Sequence, residues 1–212
     1  MGQLNTKDLL VQSLAIDSFT SSLRLWTVDE YYQMAKTGIL QPDEKVELIA
    51  GQIIRNMTPQ GSFHAAAITR TNPLLNQPVQ PRFLVRSQLP IQLDNRSEPE
   101  PDLALVKSDP LDYDDRHPKA EDVYLIIEIA DSTLKTDLTL KKQVYAEAKI
   151  PDYWVLDLAK RQLYVYRQPT EEGYQQEQIL SEWQSIAPLF FPDFQVKVGE
   201  MLKPMPVSEN DG

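Results

Sequence analysis

A strand, a helix and a second strand are predicted in succession within residues 121–157, EDVYLIIEIADSTLKTDLTLKKQVYAEAKIPDYWVLD. The unbroken apolar run at 123–127 is typical of a strand that is buried on both faces. A helix that ends before a proline is predicted at 137–148, and residues 153–158 predict the second buried strand. The unit therefore places one carboxylate, that of Glu128, near the end of its first strand.

The predicted helix carries a lysine at the centre of its apolar stripe. On a helical wheel of about 100° per residue, the residues that flank Lys141 are Leu138, Val144, Tyr145 and Ala148. A buried ammonium is costly unless it is paired or used, and the obvious partners are Asp137 and Glu128. The alternative is a lysine whose stem packs against the core while its head reaches water. The wheel alone leaves both interpretations open.

The length and composition of the chain predict one cytoplasmic domain. A chain of 212 residues suits a single domain, which we place at residues 23–202, between an N-terminal tail (1–22) and a C-terminal tail (203–212). The absence of cysteine excludes disulfides, thiolate metal sites and cysteine nucleophiles, and it fits a reducing cytoplasm. No apolar stretch approaches the roughly 20 residues of a membrane span, and no secretion signal is recognised.

The net charge of −10 restricts the partners of the protein. Proteins that stay bound to nucleic acid neutralise its phosphates with a basic surface, so this charge argues against a permanent complex with nucleic acid. The charge is compatible with an enzyme that meets nucleic acid through a metal-filled cleft. It is also compatible with clustered carboxylates that bind cations.

The first part of the domain predicts a capped helix followed by a β-hairpin. Thr27 and Glu30 form a capping-box pattern at the start of the helix. Residues 45–57 predict two strands that turn at residues 50–51. Strict alternation points Glu47 away from the apolar face of this hairpin, so the pattern alone predicts a side chain that faces solvent.

His64 is one of only two histidines in the chain. It lies near the start of a helix predicted at residues 62–71, which Asn72-Pro73 is predicted to break. Two histidines cannot form a multi-histidine metal site. A single histidine at the start of a helix is more often a structural polar residue than a metal ligand.

Asp102 and Glu128 are predicted on neighbouring buried strands. Asp102 precedes the strand predicted at 103–106 and follows two prolines that impose extended geometry. The two carboxylates can hold a hard divalent cation, and the backbone carbonyl of Ile129 could add another ligand. Such an ion lowers the pKa of a bound water and stabilises charge on a transferred phosphoryl group. Lys141 could position that water or offset that charge, so the set fits metal-assisted phosphodiester hydrolysis.

Other reaction classes find less support in the sequence. No glycine-rich loop follows a strand to bind a nucleotide, and no G-x-S-x-G nucleophile elbow is present. A glycosidase with two carboxylates remains an alternative, although nothing in the sequence predicts a sugar cleft.

The order of these residues resembles the Uma-two family of restriction-endonuclease-like proteins, a branch of the PD-(D/E)xK nuclease superfamily. The resemblance spans about residues 26–202. The matching pieces are Glu47-Leu-Ile-Ala-Gly-Gln-Ile53; His64; Glu100-Pro-Asp-Leu-Ala-Leu-Val106; Leu125-Ile-Ile-Glu-Ile129 with Ser132; Asp137-Leu138 with Lys141; and Tyr145-Ala-Glu-Ala-Lys-Ile-Pro-Asp-Tyr-Trp154 running into Val-Leu-Asp157. Each piece is loose, but their order and spacing together are specific.

The resemblance implies an α/β fold, with a central mixed sheet flanked by helices, and Asp102 and Glu128 as metal ligands. In the commonest superfamily pattern the lysine lies two residues after the glutamate, where this chain has Ala130. In the branch that this chain resembles, the lysine moves to the next helix, which matches Lys141.

Three further residues are implied as neighbours of the site. Glu47 and His64 match family positions, and Asp137 is equally suited to cap a helix, to pair with the lysine or to bind the metal. The predicted break at Asn72-Pro73 departs from the long uninterrupted helix that the family implies there.

The function implied by the resemblance is that of a metal-dependent endonuclease that acts on DNA with Mg²⁺, or with Mn²⁺ in its place. We expect a homodimer, because symmetry supplies two sites for the two cuts of a duplex. The alternative is a catalytically inactive nuclease-fold protein with a binding or accessory role. The acidic surface favours that alternative, because a chain with a net charge of −10 meets DNA slowly.

Overall fold

The computed structural model describes residues 23–55, 61–76 and 83–205. The tail predicted at 1–22, the end of the hairpin predicted at 45–57 and most of the tail predicted at 203–212 lie outside these residues. The strands are β1 (Val46–Ile49), β2 (Gln52–Arg55), β3 (Phe83–Ser87), β4 (Leu103–Lys107), β5 (Val123–Ala130), β6 (Asp152–Asp157), β7 (Gln162–Thr170), β8 (Gly173–Ser181), β9 (Ser185–Ile186) and β10 (Val196–Lys197). The helices are α1 (Val28–Lys36), α2 (Ser62–Leu75), α3 (Leu134–Thr136), a π-helical turn (Asp137–Lys141), α4 (Lys142–Glu147) and α5 (Val198–Met201), with a 3₁₀ turn at Ala120–Asp122. Within the described ranges, no helix combines the length and the apolar character that a membrane span requires.

Six of these strands form one mixed sheet in the order β3-β4-β5-β6-β7-β8. Neighbouring strands are antiparallel except β5 and β6, which run parallel with Glu128 opposite Val155. Two consecutive parallel strands need a crossover connection, and the helical segment from α3 to α4 supplies it. The predicted mixed sheet with helices and the predicted strand–helix–strand unit are therefore confirmed.

The sheet carries apolar side chains on both faces, as the apolar run in β5 predicts. The odd-numbered residues from 125 to 129 join a core that also contains residues of α2 and α5. Ile126 and Ala130 join the other core, which contains Val144 and Tyr145 of α4. Because side chains alternate along a strand, Glu128 points toward the second core, where the helix with the unexpected lysine packs.

The helix α1 begins at the predicted capping box. The hydroxyl of Thr27 accepts a hydrogen bond from the backbone N–H of Glu30 at 3.2 Å, and the Glu30 carboxylate accepts one from the backbone N–H of Thr27 at 3.0 Å. One turn along, the hydroxyl of Tyr32 donates to the carboxylate of Glu98 at 2.6 Å. This contact holds α1 against the segment that leads into β4.

The hairpin of β1 and β2 turns at residues 50–51, as predicted. Gly51 has a φ of +74°, a conformation that favours glycine. The hairpin docks on the same segment as α1, because the backbone N–H of Glu98 donates to the carbonyl of Leu48 at 2.7 Å. This docking covers β1 on both faces and brings Glu47 toward the start of β4.

The helix α2 passes through Asn72-Pro73 and ends at Leu75, so the predicted break is wrong. Proline has no backbone N–H, so it cannot donate a hydrogen bond within a helix. Pro73 lies in the last turn of α2, so the lost hydrogen bond is near the end of the helix. The backbone N–H of Asn76 still donates to the carbonyl of Asn72 at 3.0 Å. The helix is therefore continuous from the first turn, where His64 lies, to its end.

The helix predicted at 137–148 begins earlier, at Leu134, and contains a π-helical turn at Asp137–Lys141. A wheel of constant angle cannot represent such a turn, in which each hydrogen bond spans one residue more than in an α-helix. Turns of this kind occur often at functional sites. Here the turn carries both Asp137 and Lys141.

Candidate active site

The three predicted catalytic residues meet at one end of the sheet. Asp102 directly precedes β4, Glu128 lies near the end of β5, and Lys141 ends the π-helical turn. Since β4 and β5 are antiparallel, the start of one lies beside the end of the other. The backbone N–H of Ile129 donates to Asp102 Oδ2 at 2.8 Å, which ties the two carboxylate-bearing segments together.

The head of Lys141 lies among carboxylates rather than in water. Its Nζ lies 3.0 Å from Glu128 Oε1 and 3.3 Å from Glu47 Oε2, and 11% of its side chain is exposed. Burial lowers the pKa of Lys141, but the charges of Glu128, Glu47 and Asp137 outweigh burial and leave the pKa above its usual value. The ammonium is therefore protonated at neutral pH.

Glu47 is buried, so the prediction of a solvent-facing side chain is wrong. Its exposed fraction is 5%. Besides Lys141, its carboxylate accepts a hydrogen bond from the backbone N–H of Glu100 at 3.4 Å. Strict alternation fails here because the hairpin lies against the segment that precedes β4, so that neither face of β1 meets water.

Glu128 is a buried carboxylate that accepts two side-chain hydrogen bonds. It is 3% exposed, and its Oε1 accepts hydrogen bonds from Lys141 Nζ and, at 2.8 Å, from the hydroxyl of Tyr145. Burial raises the pKa of Glu128 to about 8; Lys141 opposes this shift, and three neighbouring carboxylates add to it. The site therefore holds more acid than its single lysine neutralises.

Asp102 is oriented from two sides. Its Oδ2 lies 2.9 Å from Nε2 of His64 and accepts the hydrogen bond from Ile129, while its Oδ1 accepts one from Gln88 Nε2 at 3.4 Å. Burial lowers the pKa of His64, but the hydrogen bond and charge of Asp102 more than compensate and raise it overall. Because α2 packs on the sheet face opposite to α4, His64 reaches the site from the face opposite to Lys141.

Asp137 lies beside the cluster without forming an ion pair with Lys141 in the described part of the chain. Its Oδ2 accepts a hydrogen bond from the hydroxyl of Thr133 at 2.6 Å, and its backbone carbonyl accepts one from the hydroxyl of Tyr153 at 2.9 Å. It is 2% exposed, and burial raises its pKa although Lys141 opposes the shift. Of the two partners predicted for the lysine, Glu128 is observed, and Glu47 takes the place of Asp137.

The donor atoms at the site are those that a hard cation prefers, namely carboxylate oxygens and a peptide carbonyl. The N–H and C=O groups of one strand residue point to the same side, so the carbonyl of Ile129 faces the side on which Asp102 lies. Among the described residues, no three His, Asp or Glu side chains are arranged so that they would hold a metal ion. The ammonium of Lys141 instead forms ion pairs with both Glu47 and Glu128.

Sequence reasoning missed two residues that contact the predicted carboxylates. Tyr145 lies four residues after Lys141 and shares its helix face, so a hydroxyl in an apolar stripe is the signal that could have found it. Gln88 follows β3, and its contact with Asp102 depends on the pairing of β3 with β4. No local pattern predicts that contact.

The family model Uma2, described as “Putative restriction endonuclease”, matches residues 28–199. Among solved structures, the chain is similar to the crystal structure of a “putative nuclease belonging to DUF820” from Anabaena variabilis, with a TM-score of 0.62 and 19% identity. The similarity covers 82% of this chain and 96% of that chain, and at this identity it shows the fold alone. No curated protein matches the chain.

The family match covers most of the chain and includes every residue of the site described above. The predicted resemblance is therefore confirmed at the level of the family, and the structural similarity independently confirms the fold. This chain belongs to the Uma2 family, whose description is “Putative restriction endonuclease”.

Proposed function

We propose that this protein is a metal-dependent endonuclease that hydrolyses phosphodiester bonds of DNA. The observation that carries the proposal is the convergence of Asp102, Glu128 and Lys141, all nearly buried, at one end of the sheet. A surplus of buried carboxylates around one ammonium costs the fold stability, and such clusters are expected where a cation or substrate uses them. Membership of the Uma2 family supports the nuclease class.

Asp102, Glu128 and the carbonyl of Ile129 are the groups that would hold the cation, Mg²⁺ or Mn²⁺. When bound, such an ion lowers the pKa of a water molecule and offsets negative charge on the phosphoryl group. The protein supplies the orientation of the ligands. His64 and the N–H of Ile129 fix the carboxylate of Asp102, and the hydroxyl of Tyr145 fixes that of Glu128.

Lys141 is suited to an electrostatic role. Because its pKa is raised, its ammonium cannot accept a proton from water at neutral pH. It can donate hydrogen bonds to the attacking water or to a phosphate oxygen, and its charge stabilises the negative charge of the transition state. Glu47 Oε2 lies 3.3 Å from Lys141 Nζ, so Glu47 would keep the lysine in the site if Glu128 bound the cation.

DNA as substrate and a homodimeric assembly complete the proposal. The family description, “Putative restriction endonuclease”, supports DNA. A dimer would present two sites to the two strands of a duplex. A chain without cysteine also suits the cytoplasm, where such a substrate is found.

The proposal is tested by cleavage assays and calorimetric titration of Mg²⁺ and Mn²⁺ on the same proteins. The substrates are supercoiled plasmid and single- and double-stranded oligonucleotides. Asp102→Asn and Glu128→Gln are the test variants, because they keep the shape of the side chain and remove its charge. Asp29→Asn and Glu177→Gln are matched controls, since both carboxylates are exposed and lie outside the cluster.

We expect the test variants to lose metal binding and at least about 100-fold in cleavage rate, with unchanged circular dichroism. The control variants should cleave like the parent protein. If Asp102→Asn cleaves as fast as the parent protein, the proposed site is wrong.

An inactive accessory protein is the second candidate function. The ion pairs of Lys141 favour it, because they offset part of the negative charge of Glu47 and Glu128 without a metal. In that case the parent protein would bind neither Mg²⁺ nor Mn²⁺ and would cleave none of the substrates. The same titrations and assays therefore decide between the two candidates.

A further inference from the structure

An exposed aromatic side chain lies beside the site, in the first turn of α2. Phe63 is 63% exposed, and the next residue, His64, lies 2.9 Å from Asp102. The ammonium of Lys203 lies 6.0 Å from the centre of the Phe63 ring. In the part of the chain that the structure describes, no carboxylate forms an ion pair with this lysine. A lysine that pairs with no described carboxylate and an exposed aromatic ring thus lie next to His64.

The same surface continues into a groove of about 220 Å³. Its lining includes Trp183, Met205, the cations of Arg161 and Lys197, and the carboxylates of Glu182 and Glu200. Trp183 is 72% exposed, the highest fraction among the large apolar side chains described as exposed. Arg161 is paired with Glu182, whereas Lys197 has no ion pair with any carboxylate in the described ranges. Met205, which lines the groove, lies two residues after Lys203, whose ammonium lies near the Phe63 ring.

The chemistry of this surface matches a single strand of nucleic acid. Exposed aromatic rings stack on unpaired bases of any sequence, and lysines attract the phosphates between them. In a chain with a net charge of −10, lysines that pair with no carboxylate among the described residues are the places where a polyanion meets least repulsion. The bases of a duplex are already stacked on one another, so their faces cannot stack on aromatic side chains of the protein.

We propose that Phe63, Lys203 and the groove lined by Trp183 and Lys197 bind the single-stranded segment that extends from the phosphodiester to be cleaved. Bases stack on Phe63 and Trp183, and phosphates contact Lys203 and Lys197. This inference rests on the proposed nuclease function only in placing one end of the bound nucleic-acid strand at the cleavage site. The binding itself is measured without catalysis.

Binding is measured as the fluorescence anisotropy of a labelled oligothymidine of about 16 nucleotides, in a chelator that prevents cleavage. Phe63→Ala and Trp183→Ala should each weaken binding by about 10-fold or more, and Phe63→Trp should restore it. Phe190→Ala is the matched control, because Phe190 is 52% exposed but does not line the groove. Equal affinities of Phe63→Ala, Trp183→Ala and the parent protein, or no binding by the parent protein, would overturn the proposal.

The contribution of charge is measured by the salt dependence of the same binding. Lys203→Glu should weaken binding and reduce the slope of affinity against salt, because one phosphate contact is lost. Lys36→Glu makes the same change of charge at an exposed position in α1 and should have little effect. If both variants weaken binding equally, net charge rather than this surface controls the affinity, and the proposal fails.

A small substrate separates this inference from the proposed function. Bis-p-nitrophenyl phosphate is too short to reach the groove, so the double variant Phe63→Ala/Trp183→Ala should hydrolyse it like the parent protein. The same variant should show a raised KM on single-stranded oligonucleotides. If no phosphodiester is hydrolysed but the variants lose oligothymidine binding, the proposed function fails, and only the binding of a single strand to this surface stands. If duplex binding is weakened as much as single-stranded binding, the surface binds duplexes and the inference is wrong.

Discussion

Two buried carboxylates in this protein, Asp152 and Glu128, have opposite surroundings. Asp152 is fully buried, and its Oδ1 accepts hydrogen bonds from Trp154 Nε1 at 2.8 Å and Arg167 Nε at 2.9 Å. Its Oδ2 accepts bonds from a second nitrogen of Arg167 at 3.1 Å and the backbone N–H of Leu189 at 2.8 Å. One anion and one cation thus satisfy each other, and they fix the segment before β10 to the sheet.

The cluster around Glu128 lacks this balance. A single ammonium, that of Lys141, is shared by Glu128 and Glu47, while Asp137 and Asp102 add further negative charge nearby. Burial and this surplus raise the pKa of Glu128 to about 8. Burial alone therefore does not distinguish the two carboxylates. The excess of buried acid over buried cation does, and we propose that this excess marks a functional site because a bound cation could relieve it.

The largest effect is expected when the balanced pair is broken. Arg167→Met removes the cation and leaves Asp152 buried without its partner, which should lower the free energy of unfolding by about 3–5 kcal/mol. Urea unfolding followed by circular dichroism measures the change. Arg161→Met is the control, since Arg161 pairs with Glu182 near the surface, and its effect should be much smaller. Equal effects of the two variants would show that the Asp152 pair contributes no more than a surface pair.

The local sequence pattern was sufficient to predict the strands and the helix that carry the site residues. The apolar run in β5 predicts a strand buried on both faces, and it places Glu128 near the strand end. The wheel identifies Lys141 as the exception in an apolar stripe, and the structure shows its head among carboxylates. The prolines before Asp102 predict the extended approach to β4. Each of these inferences depends only on residues close together in the chain.

Long-range packing explains what the pattern could not predict. Glu47 is buried because its hairpin docks on a segment 53 residues away, and alternation within one strand carries no information about that contact. Pro73 stays helical because it lies in the last turn of α2, where the hydrogen bond that proline cannot donate is near the end of the helix. The pairing of Asp152 with Arg167 depends on the register of β6 and β7. Asp152 and Arg167 show no sequence signal of their pairing.

A smaller loss of stability is expected when the lysine of the unbalanced cluster is removed. Lys141→Met leaves Glu47 and Glu128 without their cation, but Glu128 can take up a proton because its pKa is already raised. We expect a loss of about 1–3 kcal/mol at neutral pH, less than for Arg167→Met, and a larger loss in alkaline buffer. Urea unfolding at two pH values in a chelator measures both. A loss as large as that of Arg167→Met would mean that the cluster is balanced in the same way as the Asp152 pair.

The pH dependence of stability tests the titration of Glu128 directly. The pKa of Glu128 is raised in the folded protein from 4.5 to about 8. Between these values the folded state binds more protons than the unfolded chain, so the free energy of unfolding falls as the pH rises. This fall is at most about 1.4 kcal/mol per pH unit for one group. Glu128→Gln removes the titration and should flatten the curve, as unfolding midpoints from about pH 5 to about pH 9 would show.

The control for this measurement is Glu177→Gln, because Glu177 is exposed and belongs to neither cluster. Its stability curve should follow that of the parent protein at every pH. A Glu128→Gln curve with the slope of the parent protein would show that the surplus acid is carried by another carboxylate.

The smallest effect is expected from the hydroxyl of Tyr145, and it tests whether a single donor tunes the cluster. Tyr145→Phe and Tyr174→Phe each remove one hydroxyl that donates a hydrogen bond, the first to Glu128 and the second to the backbone carbonyl of Ile150. Each should lower the free energy of unfolding by about 1 kcal/mol. Only Tyr145→Phe should also weaken Mn²⁺ binding at neutral pH, by about tenfold at most, because the pKa of Glu128 rises further when its donor is lost. Calorimetric titration of both variants compares them directly. If both bind Mn²⁺ equally, the hydroxyl of Tyr145 only fills the core, and the ionisation of Glu128 is set by burial and by neighbouring charges alone.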